Sequence, residues 1–185
     1  VCALANGAAA IALATVLAPG VSLAPTPSAA AYVAGHLGAW RSGWALWIIA
    51  AISLLLFLRW WASVLGWPSI ARVAVALAAV GVAADIVAEA RLIAWSPGQP
   101  FDAAGPLRQS GIVANGLYSV AGGLLTRATP GLPRRLAQWS WTVWTLGIGL
   151  AVAVAIGSDA ASFILTAALF ALLVPWLVVF GRRLR

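Results

Sequence analysis

Apolar residues run in long blocks along this chain, and the breaks between them are short and rich in proline, glycine and arginine. The blocks fall at about 2–18, 43–65, 69–95, 111–126, 137–156 and 160–180, most of them close to the roughly 20 apolar residues that carry a helix across a bilayer's hydrocarbon. Pro19-Gly20 closes the first block and opens a proline- and serine-rich stretch over 21–30. A proline- and glycine-rich loop occupies 96–110, and a tight basic loop with two prolines and three arginines occupies 127–136. Gly157-Ser158-Asp159 turns the chain into the last block. The pattern predicts an all-α fold, a polytopic transmembrane helix bundle of about six spans, forming a single integral membrane domain over 1–185.

Composition strengthens that expectation. Of 185 residues, 63% are hydrophobic and 8% charged, and the mean hydropathy is +1.00, whereas a soluble domain carries about 25% charged residues. Six spans of roughly 20 residues consume about 120 positions, which excludes a soluble catalytic or nucleic-acid-binding domain beside them. Ser28-Ala29-Ala30 resembles a signal-peptide cleavage site, and cleavage there would leave five spans. No basic residue stands ahead of the first apolar run, so a retained helix is expected.

The net charge of +7 has a membrane explanation rather than a nucleic-acid one. All eleven cations are arginine, and most lie at block ends. With both termini cytoplasmic, Arg59, Arg72, Arg127, Arg134, Arg135, Arg182, Arg183 and Arg185 fall inside and Arg41, Arg91 and Arg108 outside. That asymmetry fits the positive-inside rule and predicts an N-in/C-in topology, with a bacterial cytoplasmic (inner) membrane as the expected location. The expected partners are membrane lipids, with other transmembrane subunits or a homo-oligomer as further candidates, and no nucleic acid. Tryptophans near the ends of the second block (Trp44 and Trp47, then Trp60 and Trp61) are expected at the two headgroup levels. Pro175 is expected to kink the last span.

Several chemistries drop out by counting. Cys2 is the only cysteine, so an internal disulfide, a Cys-x-x-Cys redox pair and a Cys/His zinc set are all excluded. His36 is the only histidine, which excludes a bis-His haem or a multi-His metal centre within the chain, and the absence of lysine excludes a retinal Schiff base. No metal site and no cofactor are expected. Axial ligation of one haem or pigment by His36 is the remaining cofactor reading, against the plainer one of a polar interfacial anchor.

The candidate chemistry lies in Asp85 and Glu89. Four residues apart, they project from one helical face, at a depth where charges are costly and normally face a bundle interior or a watery cavity. At 1.5 Å per residue Asp85 lies about 5 Å, and Glu89 about 10 Å, to the outer side of a span centre near Val82. In the fourth block Asn115, Ser119 and Gly123 form one stripe, with Tyr118 and Gly122 alongside. The third block offers Ala74, Ala78, Gly81, Asp85 and Glu89. Packed through these small residues, the two spans should place Asp85 near Tyr118 and Ser119, and Glu89 near Asn115. Arg91 points to nearly the opposite face from Glu89, so His36, Arg41 and Arg108 are the candidate counter-charges or rim residues. Without a cation the two acids are expected to share a proton. These residues suggest a transporter-like protein, or one that binds a small ligand, cation or proton at Asp85 and Glu89, with Asn115, Tyr118 and Ser119 orienting it. A purely structural tie between two helices would use the same groups. Short loops and small-residue faces suit an accessory subunit of a larger membrane complex, and an Asp/Glu acid–base pair suits a lipid-acting membrane enzyme.

Overall fold

The chain is 85% helical and has no strand among its described residues. This computed structural model describes residues 1–23 and 26–184; Ala24 and Pro25 of the proline-rich stretch, and Arg185 of the inner arginines, lie outside them. The helices are α1 (Cys2–Ala12), α2 (Pro27–Gly35), α3 (Leu37–Val64), α4 (Ser69–Ala94), α5 (Ala104–Arg108), α6 (Asn115–Ala128), α7 (Arg134–Ala155) and α8 (Asp159–Arg183). α1 runs on through a π turn (Leu13–Leu17) and a 3-10 turn (Ala18–Gly20), and α5 joins α6 through a π segment (Gln109–Ala114). Four rods, Cys2–Gly20, Leu37–Val64, Ser69–Ala94 and Asp159–Arg183, are long and apolar enough to cross a membrane. The fourth and fifth blocks also fold as helices, but glycine, serine and threonine in α6, and Gln138 and the threonines of α7, lower their hydropathy.

The six long rods close into a ring: α1 packs on α3, α3 on α4, α4 on α6, α6 on α7, α7 on α8, and α8 back on α1. The pairs joined by short turns, α3 with α4, α6 with α7 and α7 with α8, run antiparallel. The α7–α8 turn shows how the sequence sets this. Gly157 adopts φ +75° and donates to the Val154 carbonyl at 3.1 Å, while Ser158 N donates to Ala153 O at 3.0 Å. This left-handed glycine ends α7, and Ser158 Oγ then accepts from Ala161 N at 3.3 Å to begin α8. Asp159 is thereby fixed at one end of the ring, the end shared by residues 21–23 and 95–103.

Several sequence-based boundaries shift. The stretch from Pro27 is helix rather than loop, since Thr26 Oγ1 accepts from Ala29 N at 3.2 Å and Pro27 occupies the first turn, where its missing N–H costs nothing. Ser28-Ala29-Ala30 therefore lies in the first turn of α2, with Ala29 buried. α3 starts at Leu37, six residues before the expected 43. The fourth rod begins inside the expected 96–110 loop, at Ala104.

The tryptophans divide. Of the four expected at headgroup level, Trp47 and Trp60 are partly exposed, whereas Trp44 and Trp61 are buried within the protein, as are Trp40, Trp144 and Trp176. Each of four buried indoles finds an acceptor: Trp40 Nε1 donates to Leu92 O, Trp61 to Thr129 Oγ1, Trp144 to Thr126 Oγ1 and Trp176 to Ser140 Oγ, all at 2.9 Å. A buried indole N–H needs such a partner, and these bonds tie α3 to α4, α7 to α6 and α8 to α7. α8 remains helical through Pro175.

Candidate functional site

Asp85 is where the polar groups of the ring converge. It lies nine residues, or about 14 Å at 1.5 Å per residue, before the last residue of α4, and it is buried. Its Oδ2 accepts from the Tyr118 hydroxyl at 3.0 Å, and its Oδ1 accepts a hydrogen bond from Ser110 Oγ. The first contact depends on Gly81, one turn earlier on α4. A Cβ there would stand 2.8 Å from Tyr118 Cε1, so only glycine lets the phenol lie flat against α4 with its oxygen at the carboxylate. The second depends on the π segment. Hydrogen bonds spanning i to i+5 widen the turn and bring Ser110 over Asn115, whose Nδ2 donates to the Ser110 carbonyl at 3.5 Å. Gln109 Nε2 anchors the same segment to α4 at Ala84 O, 3.1 Å away.

Two cavities that share part of their walls lie at this cluster. The inner one, about 50 Å³, receives side chains from all six rods, among them Asn6, Trp47, Asp85, Tyr118, Trp144 and Leu169. Asn115 and Ser119 line it too, and Ser119 Oγ donates to Asn115 O at 2.7 Å. Trp47, Asn115 and Phe170 also belong to the wall of a vestibule of about 610 Å³ at the end of the ring that carries Asp159. Trp44 and Ser162 line that vestibule, and both the indole N–H and the serine hydroxyl are buried without a protein partner.

Glu89 behaves differently from Asp85. Both its carboxyl oxygens are buried without a protein hydrogen bond, and it lines neither cavity. The charge acting on it is that of Asp85, while the groups acting on Asp85 are the Ser110 and Tyr118 hydroxyls. A buried acid pair without a cation is costly, and its remaining lone pairs call for a proton, water or a cation supplied from elsewhere.

The candidate counter-charges stand apart from the pair. Arg41 donates from Nε to Ile93 O at 3.0 Å and from Nη2 to Trp95 O at 3.3 Å, covering the last carbonyls of α4, where a cation also suits the helix dipole. Arg108 reaches toward the α7–α8 turn at Gly157. His36 is exposed, with Nδ1 2.9 Å from Tyr32 O and its ring stacked on Tyr32 at a centroid distance of 4.4 Å. Among the described residues no three His, Cys, Asp or Glu side chains gather as a metal set.

Asp85, Asn115, Tyr118 and Ser119 thus meet around one cavity, and Glu89 stands a turn from it. Three participants were not apparent from the sequence. Ser110 falls at the end of the expected 96–110 loop, and only the π segment Gln109–Ala114 brings it to Asp85. Asn6, the only amide in the first apolar block, donates from Nδ2 to Cys2 O at 3.0 Å and Ser53 Oγ at 3.4 Å. Trp44, expected at a headgroup level, is buried in the vestibule wall.

The rim has its own fastening. Asp159 Oδ1 accepts from Leu23 N at 2.9 Å and Oδ2 from Ser22 Oγ at 3.1 Å, pinning segment 21–23 across the vestibule. Replacing Asp159 with alanine should release it. By hydrogen exchange the Leu23 amide is expected to open at least about tenfold faster, with the ring helices unchanged; unaltered exchange at Leu23 would mean that the segment is held by its neighbours instead. No family model, curated protein or solved structure matches this chain.

Proposed function

We propose that this chain is a six-span membrane protein, with both termini cytoplasmic, that binds a proton, cation or small cationic ligand at Asp85 in a transporter-like site. In this reading Ser110 and Tyr118 hold the carboxylate, Asn115 and Ser119 shape the inner cavity, and Glu89 is the second acid through which protonation of the pair is coupled. The observation that carries the reading is an acid at a cavity lined by all six rods, with no arginine beside it. The ring supports the span count, because the α6 and α7 rods complete the closure begun by the four more apolar ones. The arginines support the topology: Arg59, Arg72, Arg127, Arg134, Arg135, Arg182 and Arg183 lie at the end opposite the vestibule, and Arg41, Arg91 and Arg108 at the vestibule end.

The test is equilibrium binding of labelled ethylammonium to purified protein. The wild type is expected to bind saturably, and the Asp85→Asn/Glu89→Gln double variant at least about tenfold more weakly, the usual penalty for removing a buried charge from a pair. Equal binding by a folded double variant would end the proposal.

A further inference from the structure

A third cavity, about 310 Å³, lies wholly between α1 and α8. Its walls are Ala10, Leu13 and Ala14 on one side and Phe163, Ala167 and Phe170 on the other. Ala14, Phe163 and Ala167 are exposed on the outer face of the ring, which in a spanning bundle faces lipid. The gap has a structural cause: the facing alanines leave a shallow groove, and at Leu13 the α1 rod changes to a π turn. Leu13 and Phe163 also line the vestibule, and Phe170 is common to all three cavities. The α1/α8 groove and the vestibule thus share walls, and Phe170 borders both of them and the inner cavity that Asp85 lines.

The chemistry changes along that path. From Phe163 to Ala171 the groove follows eight residues of α8, about 12 Å at 1.5 Å per residue, and suits a hydrocarbon chain. The vestibule adds two buried donors without protein acceptors, Trp44 Nε1 and Ser162 Oγ, which suit a ligand oxygen. The inner cavity adds the Asp85 carboxylate, an acceptor for charged N–H donors. A primary ammonium brings three such donors, and a trimethylammonium group brings none.

We infer that the ligand is a single-chain amphiphile with a primary ammonium head and a nearby hydroxyl, entering sideways from the bilayer between α1 and α8. This rests on the reading of Asp85 as a cation-binding group. The chain lies in the α1/α8 groove, the hydroxyl accepts from Trp44 or Ser162, and the ammonium donates to Asp85.

The probes are labelled sphinganine, its N-trimethylated form and ethanolamine, each titrated onto protein in phosphatidylcholine nanodiscs, with empty discs subtracted. The wild type is expected to bind sphinganine saturably and the trimethylated form at least about tenfold more weakly; Asp85→Asn is expected to lose about tenfold for sphinganine. Ala14→Trp and Ala167→Trp fill the groove from exposed positions, with retained folding checked by circular dichroism. Each should weaken sphinganine binding by about tenfold while leaving ethanolamine, followed by ligand NMR, within about twofold. If both tryptophan variants bind sphinganine as the wild type does and Asp85→Asn does not, side entry is wrong and the acidic site stands. If Asp85→Asn binds all three probes like the wild type, the acidic-site reading falls and this inference falls with it. Equal affinity for the trimethylated form overturns the assignment of a primary ammonium.

Discussion

Gly122→Val is expected to destabilise the ring by about 3 kcal/mol, the upper range for forcing atoms into a packed core. A Cβ at Gly122 would fall against the six-membered ring of the Trp144 indole. That indole has nowhere to retreat, since its Nε1 is bonded to Thr126 Oγ1 at 2.9 Å and it meets Trp176 edge to face, 5.1 Å between centroids. Trp176 is in turn bonded to Ser140, and it packs on Phe180 at 4.6 Å, which contacts Trp61 at 4.3 Å. Displacing Trp144 therefore disturbs α6, α7, α8 and α3 together. Gly149→Ala is the matched control: its Cβ would meet Leu165 at an ordinary 3.7 Å, and a change within about 0.5 kcal/mol is expected. Unfolding in mixed micelles, followed by circular dichroism, compares the two. Equal stability of the variants would show that the indole ladder does not hold the ring.

This ladder also marks the limit of what the sequence discloses. Long apolar blocks and their breakers locate the helices, because crossing a bilayer demands internally bonded backbone over a fixed length. The acid spacing and the small residues of α4 and α6 likewise indicate which faces meet, and Tyr118 does reach Asp85. The direction of an indole is another matter. Tryptophan near a helix end suits a headgroup belt and a buried core equally well in one dimension, and the outcome for Trp61 depends on Thr129, 68 residues away. Ser110 was hidden for a different reason: an α-helical wheel places it off the stripe of Asn115, and only the wider π turn, stabilised by contacts with α4 and α7, brings the two together. Thr26-Pro27, by contrast, is a legible helix start that the surrounding prolines obscured.

Glu89→Met is expected to stabilise the protein by about 2 kcal/mol, because replacing a buried ionisable group by an apolar one of similar size removes its desolvation cost. Glu89 gives little back to the fold, for its two oxygens make no protein hydrogen bond and the charge of Asp85 acts against its own. Asp85→Met should act in the opposite direction. It would strand the Ser110 and Tyr118 hydroxyls without their acceptor, a loss of about 1–3 kcal/mol for groups left buried and unpaired. Two acids one turn apart on the same helix are thus expected to give stability changes of opposite sign, read as midpoints of thermal unfolding under identical detergent conditions. If Glu89→Met lowers stability as much as Asp85→Met does, Glu89 is a structural tie between helices, and its part in proton or cation binding is lost. If it raises stability while ethylammonium binding weakens, the cost of burying Glu89 is accounted for by what it does when the site is filled.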